Sequence, residues 1–179
     1  MIVKNKNLYE KCDVTVTYLE QRAKPMFKSL YPPAFKTALM RTENISLPFY
    51  RFLFEQIGGP HKWVTRRYLE DQKLQALIHD PQTQIFVLYK EGWPAGFAEI
   101  QTKPAGLMDF KFFGLVPEAQ GFKLGPWFLQ EMLQWIWDQN PERVIIETAS
   151  LDHPGALQLY QKMGFTVYDQ GAGVIEWYG

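Results

Sequence analysis

The stretch FFGLVPEAQGFKLGPWF, from Phe112 to Phe128, carries the clearest chemical signal in the chain. A run of strand-forming residues halts at Pro117. A short loop with Gly121 and Gly125 follows, and an apolar helix is expected from about Pro126 to Asp138. Such a loop leaves backbone N–H groups pointing outward, and the helix N-terminus adds partial positive charge; together they suit a pyrophosphate. Taken alone, the pattern reads equally well as a strand-to-helix turn without a ligand. Gly114 stands inside the aromatic strand and marks a bulge or a close backbone approach.

Other reactive groups are sparse. Ser150, Asp152 and His153 lie close together in SLDHP, but no nucleophile elbow surrounds the serine. Asp152 or His153 is expected to cap the helix opened by Pro154. His61, His79 and His153 are the only histidines, and no two stand at helical ligand spacing. The single cysteine, Cys12, forms no internal disulfide and no Cys-rich zinc site, so no metal is expected.

The bulk composition bounds the rest. Hydrophobic residues make up 46%, aromatic residues 16% and charged residues 21% of 179 positions, which is globular and not disordered composition. Nineteen Lys and Arg balance nineteen Asp and Glu, leaving no basic surplus for a phosphate backbone, so nucleic acid is set aside as a partner. The aromatics fall mostly on core-facing positions and are not read as a cation cage. No apolar run is long enough to span a bilayer, and MIVKNKNLYEKCD lacks the apolar centre of a signal peptide. The expectation is a cytoplasmic protein without membrane contact, with homodimerisation left open.

These residues must be positioned by a regular scaffold. Val14 to Gln21 alternates as a strand, and residues 24–44 read as an irregular, partly helical connection. A helix is expected from Ser46, with Pro48 in its first turn and Gly58-Gly59 at its end, and a second from Arg66 to Pro81. The period then changes to two: a hairpin turns at Glu91-Gly92, and LMDFKFFGLV is a third strand. After the glycine loop and its helix come the buried strand RVIIETAS and a helix from about Pro154 to Met163, closed by Gly164. FTVYDQ and VIEWYG are expected as two strands around Gly171 and Gly173. Residues 1–12 read as an N-terminal extension and 13–179 as a single domain, a sheet covered by helices on both faces.

Two segments together resemble the signature motifs of the GNAT superfamily of acyl-CoA-dependent N-acetyltransferases. The acyl-CoA motif of that family reads Val-x-Pro-x-x-Arg/Gln-Gly-x-Gly-x-Gly/Ala, and Leu115, Pro117, Gln120, Gly121 and Gly125 stand at its positions. The second motif closes the following helix with a tyrosine and a Gly-Phe pair, matched by Tyr160, Gly164 and Phe165. The element order is also that of the family. The resemblance covers roughly residues 12–178 and implies an α/β fold: a mixed, mostly antiparallel, seven-stranded GNAT-type sheet with helices on both faces. One position departs: the central loop glycine is Lys123, which either crowds the loop, adds an ammonium to the phosphates, or is a solvent-exposed lysine.

The resemblance implies acetyl-CoA as co-substrate and a small-molecule amine as acceptor. It assigns Phe113, Gly114, Leu115 and Val116 to the pantetheine arm and thioester, and Gln120, Gly121, Phe122, Lys123, Leu124, Gly125 and Pro126 to the pyrophosphate. An amine attacks the thioester, an oxyanion forms and a thiolate leaves. The Leu115 N–H suits the oxyanion, and Tyr160 suits protonation of the thiolate, although Ala156, Leu157, Tyr160 and Met163 also share one helical face as core residues would. For the base there are two candidates, Asp109 and Glu99. Counting by two, Asp109, Lys111, Phe113 and Leu115 share a face, which favours Asp109; either carboxylate is otherwise solvated or lysine-paired. The first two helices, around Tyr50, Phe54, Trp63 and Tyr68, build the acceptor pocket in that family.

Overall fold

Alternating β-branched and aromatic residues build one seven-stranded sheet in the computed structural model, which describes residues 9–26 and 30–178. The strands are β1 (Tyr9–Gln21), β2 (Thr37–Arg41), β3 (Thr83–Lys90), β4 (Trp93–Lys103), β5 (Leu107–Leu115), β6 (Arg143–Ala149) and β7 (Thr166–Tyr178). Their spatial order is β2-β3-β4-β5-β6-β1-β7, and every neighbouring pair is antiparallel except β5 with β6. Among the described residues four α-helices flank the sheet: α1 (Leu47–Gly58), α2 (Asp71–Ile78), α3 (Leu124–Trp137) and α4 (Ala156–Lys162). The Tyr50 ring of α1 meets Phe97 of β4 on one face, and Phe128 of α3 meets Phe113 of β5 on the other. The expected fold class is therefore the observed one.

Local chemistry accounts for the boundaries that match. Pro48 lies in the first turn of α1, where its missing N–H costs nothing. Glu91 and Gly92 both take positive φ, 50° and 92°, the geometry of a tight hairpin turn between β3 and β4. The end of α4 is a Schellman motif: Phe165 N–H donates to Tyr160 O at 3.0 Å, and Gly164 N–H to Gln161 O at 3.0 Å. Gly164 sits at φ +91°, and the Tyr160 and Phe165 rings touch with centroids 6.2 Å apart. The Tyr-x-x-x-Gly-Phe signature is thus a helix stop that fixes where Tyr160 points.

Four boundaries differ from expectation. Residues 37–41 are not a partly helical connection but the edge strand β2, held by pairing with β3 from Thr37↔Lys90 to Arg41↔Phe86. The helix expected over 66–81 shortens to Asp71–Ile78. The Arg51 guanidinium takes the carbonyls of Arg67 (3.4 Å) and Leu69 (2.7 Å), which a longer helix would have used itself. The two last strands are one, because Gly171 and Gly173 stay in the ladder opposite Val16 and Val14. The strand total is preserved only because β2 is gained where two strands merge. Finally, β1 already begins at Tyr9, inside the stretch read as an extension, whose residues 1–8 lie outside the described residues.

The core is continuous on both faces of the sheet. Leu19, Leu88, Phe97, Ile100, Leu129 and Leu133 are fully buried. Buried Gln21 of β1 ties the two ends of this layer: it donates to Met163 O at 2.7 Å and accepts Trp137 Nε1–H at 2.8 Å. No helix among the described residues is long and apolar enough to cross a membrane.

Candidate active site

The parallel pair β5–β6 runs from Leu107↔Arg143 only to Phe110↔Ile146. Beyond that point β5 stays with β4, as far as Leu115↔Gly96, while β6 stays with β1, as far as Ala149↔Val16. The strands therefore part, and a cleft of about 710 Å³ opens over the gap. Both sides of the split lose ladder partners there, so backbone groups of β5 face open space. Val116 N–H donates to Ala95 O of the β4 side at 2.9 Å. Alternation along the strand then turns the N–H groups of Phe113 and Leu115 the other way, into the gap.

The glycine loop forms the mouth of the cleft. Gln120, Gly121, Lys123, Leu124, Gly125 and Pro126 all line it. Gly121 takes φ +83° with open space where a Cβ would stand, and Gly125 lies in the first turn of α3. The N–H groups of residues 121–125 take no backbone partner among the described residues, the arrangement that binds phosphate oxygens. Lys123 holds the left-handed conformation, φ 58° and ψ 18°, a geometry that favours glycine. Its side chain is exposed.

Two residues expected in this group lie elsewhere. Val116 is buried below the strand end, and Phe122 turns outward to meet Phe35, edge to face at 5.9 Å, with the Lys90 ammonium 4.6 Å from its centroid. Both contribute backbone at most.

Gly114 has a packing reason for its missing side chain. A Cβ there would stand 2.4 Å from Ile57 Cγ2 and 3.6 Å from Trp63 Cη2. The glycine thus lets α1 and the segment after it lie directly on the C-terminal end of β5. Trp63 continues across the gap: its Nε1 donates to Asp152 Oδ1 at 2.9 Å, while Asp152 Oδ2 accepts the Ala149 N–H (2.8 Å) and the Thr148 hydroxyl (2.9 Å). Asp152 therefore closes the end of β6 instead of capping α4. His153 Nδ1 accepts the Gly155 N–H at 3.0 Å.

Tyr160 lines the cleft and is otherwise packed against Phe113 and Phe165. Its hydroxyl has no hydrogen-bond partner among the described residues. Burial first, and then the charge of Asp152, push its phenol above the ordinary tyrosine range, so the group holds its proton.

Asp109 does not stand where counting by two puts it. Glu99 pairs with Phe112 and Ile100 with Phe110, so Lys111 is an extra residue, a bulge in β5. The bulge inverts the facing of all that follows. Asp109 consequently shares the α1 face with Phe112 and Glu99, not with Phe113 and Leu115. It lies buried against Lys103 and Lys111, the latter at 2.7 Å, and does not line the cleft. Glu99 is buried deeper still. Its Oε2 accepts the Tyr50 hydroxyl at 2.5 Å and its Oε1 an Arg66 N–H at 2.8 Å. Burial and the Glu99 charge raise the Tyr50 phenol far above its usual range. Burial pulls the Arg66 guanidinium down, but Glu99 outweighs it and the net direction is up. Both carboxylates are structural partners of cations.

Sequence reasoning passed over Glu147 and Asp152 as site residues, and over the placing of His61. His61 Nδ1 meets Leu151 O at 3.0 Å, and its ring lies 6.5 Å from that of His153. The one carboxylate in RVIIETAS was the available signal for Glu147. No group of three or more His, Cys, Asp or Glu among the described residues is placed to hold a metal.

A model of the acetyltransferase (GNAT) family matches residues 40–165. The chain belongs to the GNAT acetyltransferase family. None of the curated proteins matches the sequence. Solved structures similar to this GNAT chain include a GCN5-related N-acetyltransferase from Sphaerobacter thermophilus, with TM-score 0.63, 14% identity, and coverage of 92% of this chain and 51% of that one. The ribosomal-protein-S18-alanine N-acetyltransferase from Escherichia coli has TM-score 0.61 and 15% identity, covering 79% and 94%. An aminoglycoside acetyltransferase from an uncultured soil metagenomic sample has TM-score 0.61 and 16% identity, covering 75% and 91%. The chain spans about half the length of the Sphaerobacter protein. At these identities the likeness is one of fold.

Proposed function

We propose that this GNAT chain is an acetyl-CoA-dependent N-acetyltransferase. It moves the acetyl group directly to a primary amine of a small molecule, with a peptide amine as the lesser alternative, inside a ternary complex. The observation that carries the reading is the parting of β5 and β6 beyond Phe110 and Ile146, with a donor-rich glycine loop at its mouth and Tyr160 in the same cleft. Acetyl-CoA supplies the activated acyl group and a thiolate leaving group. The loop N–H groups and Lys123 hold phosphate, and the gap-facing N–H groups of Phe113 and Leu115 hold the arm and polarise the carbonyl. The ammonium loses its first proton to water; Tyr160, kept protonated by burial, hands its proton to the departing sulfur and regains one from the nitrogen as the amide forms.

The test is calorimetry with acetyl-CoA, followed by thiol release over an amine panel. Gly121→Asp puts an acidic side chain beside the phosphates and is expected to abolish measurable binding. Unchanged affinity in a folded variant removes the loop from the site. A second reading, a non-catalytic acyl-CoA-binding module, is favoured by the engagement of Glu99 and Asp109 in ion pairs. Binding without thiol release on any amine selects it.

A further inference from the structure

The acceptor follows from the part of the cleft that acetyl-CoA does not explain, and the argument rests on the acyl-transfer reading of that cleft. On the α1 face, beyond the gap, the surface is made by β1 and β7. Pairing of Val14 with Gly173 and of Cys12 with Ile175 sets Val14, Val16, Gly173 and Ile175 on one side, and all four line the cleft. Along this half of β7, half-buried residues alternate with exposed ones, and Gly173 and Ile175 are half-buried. Gly173 leaves a trough: a Cβ there would stand 3.3 Å from Val14 Cγ2 and 3.4 Å from Val16 Cγ2.

The segment after α1 stands over this apolar floor and is pinned to its rim. Lys62 bonds Glu10 of β1, the Arg67 guanidinium lies 4.0 Å over the Trp177 ring, and the Tyr68 hydroxyl accepts the Tyr178 N–H at 2.7 Å. A channel with an apolar floor and a fixed roof results. Its inner end is Glu147, the residue after Ile146, where pairing with β5 stops. Two residues from Ile145, which pairs with Asp109, Glu147 points to the same face. It lines the cleft, is exposed, and has no hydrogen bond or ion pair among the described residues. The other charges on this face are occupied: Lys103 and Lys111 by Asp109, Lys62 by Glu10, Arg66 by Glu99, and Asp152 by Trp63, Thr148 and Ala149. Glu147 acts on Lys103 only at longer range.

A carboxylate without a partner at the inner end of an apolar channel is complementary to an ammonium on an apolar body. We propose that the acceptor is a primary amine carried on an aromatic or aliphatic body. Glu147 holds the ammonium beside the gap, and Val14, Val16 and Ile175 take the body. A carboxylate next to the amine would face Glu147 with like charge, and a polar body would leave the floor's burial unused.

The experiment uses 2-phenylethylamine, phenylalanine and ethanolamine as probes. Binding of each to the protein with coenzyme A is measured by calorimetry, and thiol release from acetyl-CoA is measured in parallel. 2-Phenylethylamine is expected to bind at least about tenfold more tightly than either other amine. Glu147→Gln is expected to raise its KM and Kd about tenfold or more, with acetyl-CoA affinity unchanged and partial rescue by Glu147→Asp. Equal binding of the three amines, or a Glu147→Gln variant with unaltered Kd, overturns the acceptor inference. Amine binding without thiol release supports the acceptor site and overturns the acyl-transfer reading instead. Thiol release with other amines and no binding of 2-phenylethylamine does the reverse.

Discussion

Trp63 Nε1 donates to Asp152 Oδ1 at 2.9 Å, and this one bond joins the segment after α1 to the loop after β6 across the mouth of the split sheet. The same indole lies against Gly114, so a single side chain reaches from β5 to the loop after β6. Trp63→Phe keeps an aromatic ring but removes the bond and the part of the indole that lies against Gly114. A hydrogen bond to a charged group contributes about 1.5–3 kcal/mol, and the variant is expected to unfold at correspondingly lower denaturant. Chemical denaturation checks it; an unchanged midpoint would show that the bond is not made in solution.

Tyr160→Phe retains the contacts with Phe113 and Phe165. It is expected to lower the turnover number about tenfold or more, within the range of general acid catalysis, with little change in acetyl-CoA affinity or stability. The raised phenol pKa carries a sign: the acid form persists to higher pH than in a free tyrosine. A pH–rate profile should therefore show no loss assignable to Tyr160 at the ordinary tyrosine value of about 10. Near-normal turnover in Tyr160→Phe would reduce the residue to a core tyrosine.

Glu99 and Asp109 are expected to report as stability residues. Glu99→Ala strands Arg66 and Tyr50 in the interior, and breaking a buried pair costs about 3–5 kcal/mol. Asp109→Asn leaves Lys103 and Lys111 without a counter-ion but leaves the cleft wall intact. Its thiol-release rate is expected to stay within about twofold of the parent once the loss of folded protein is counted, since it removes no group from the reacting atoms. A pH–rate profile that loses its acidic limb in Asp109→Asn, with the fold intact, would restore it as the base.

Lys123 holds a conformation that a side chain disfavours by about 1–2 kcal/mol. Lys123→Gly is expected to raise the melting temperature by a few degrees, at roughly 2–4 °C per kcal/mol for a chain of this size. The same change removes an ammonium from the glycine loop at the cleft mouth, so on the proposed function acetyl-CoA affinity should fall and its salt dependence flatten. Stability and affinity would then move in opposite directions, read by thermal melts and by calorimetry at two ionic strengths. Tighter binding in Lys123→Gly would show instead that the lysine crowds the loop.

Much of this was legible in the residues. Pro48, Glu91-Gly92 and Gly164 mark element ends through their own backbone preferences, and the loop at Gly121 declares itself through glycine and helix start. What escaped depends on distant partners. Arg51 captures the Arg67 and Leu69 carbonyls and so shortens α2, an event no local period records. Nothing in DFKFFG betrays that Lys111 is an extra residue, yet it decides which face Asp109 takes. Trp63 and Asp152 meet only because the chain folds back between them, and Glu147 is informative only once its neighbours are seen to be engaged.

The place of β1 in the sheet bears on how the chain is made. Its partners are β6 and β7, and the first residue to pair with it, Val144 opposite Gln21, is synthesised long after it. Until then the alternating β1 segment lacks both of its partner strands, while the residues of β2 to β5 are already available to pair among themselves. Such an orphan strand invites pairing with other nascent copies. Slow translation or a truncated C-terminus should therefore favour aggregation over a partly active product.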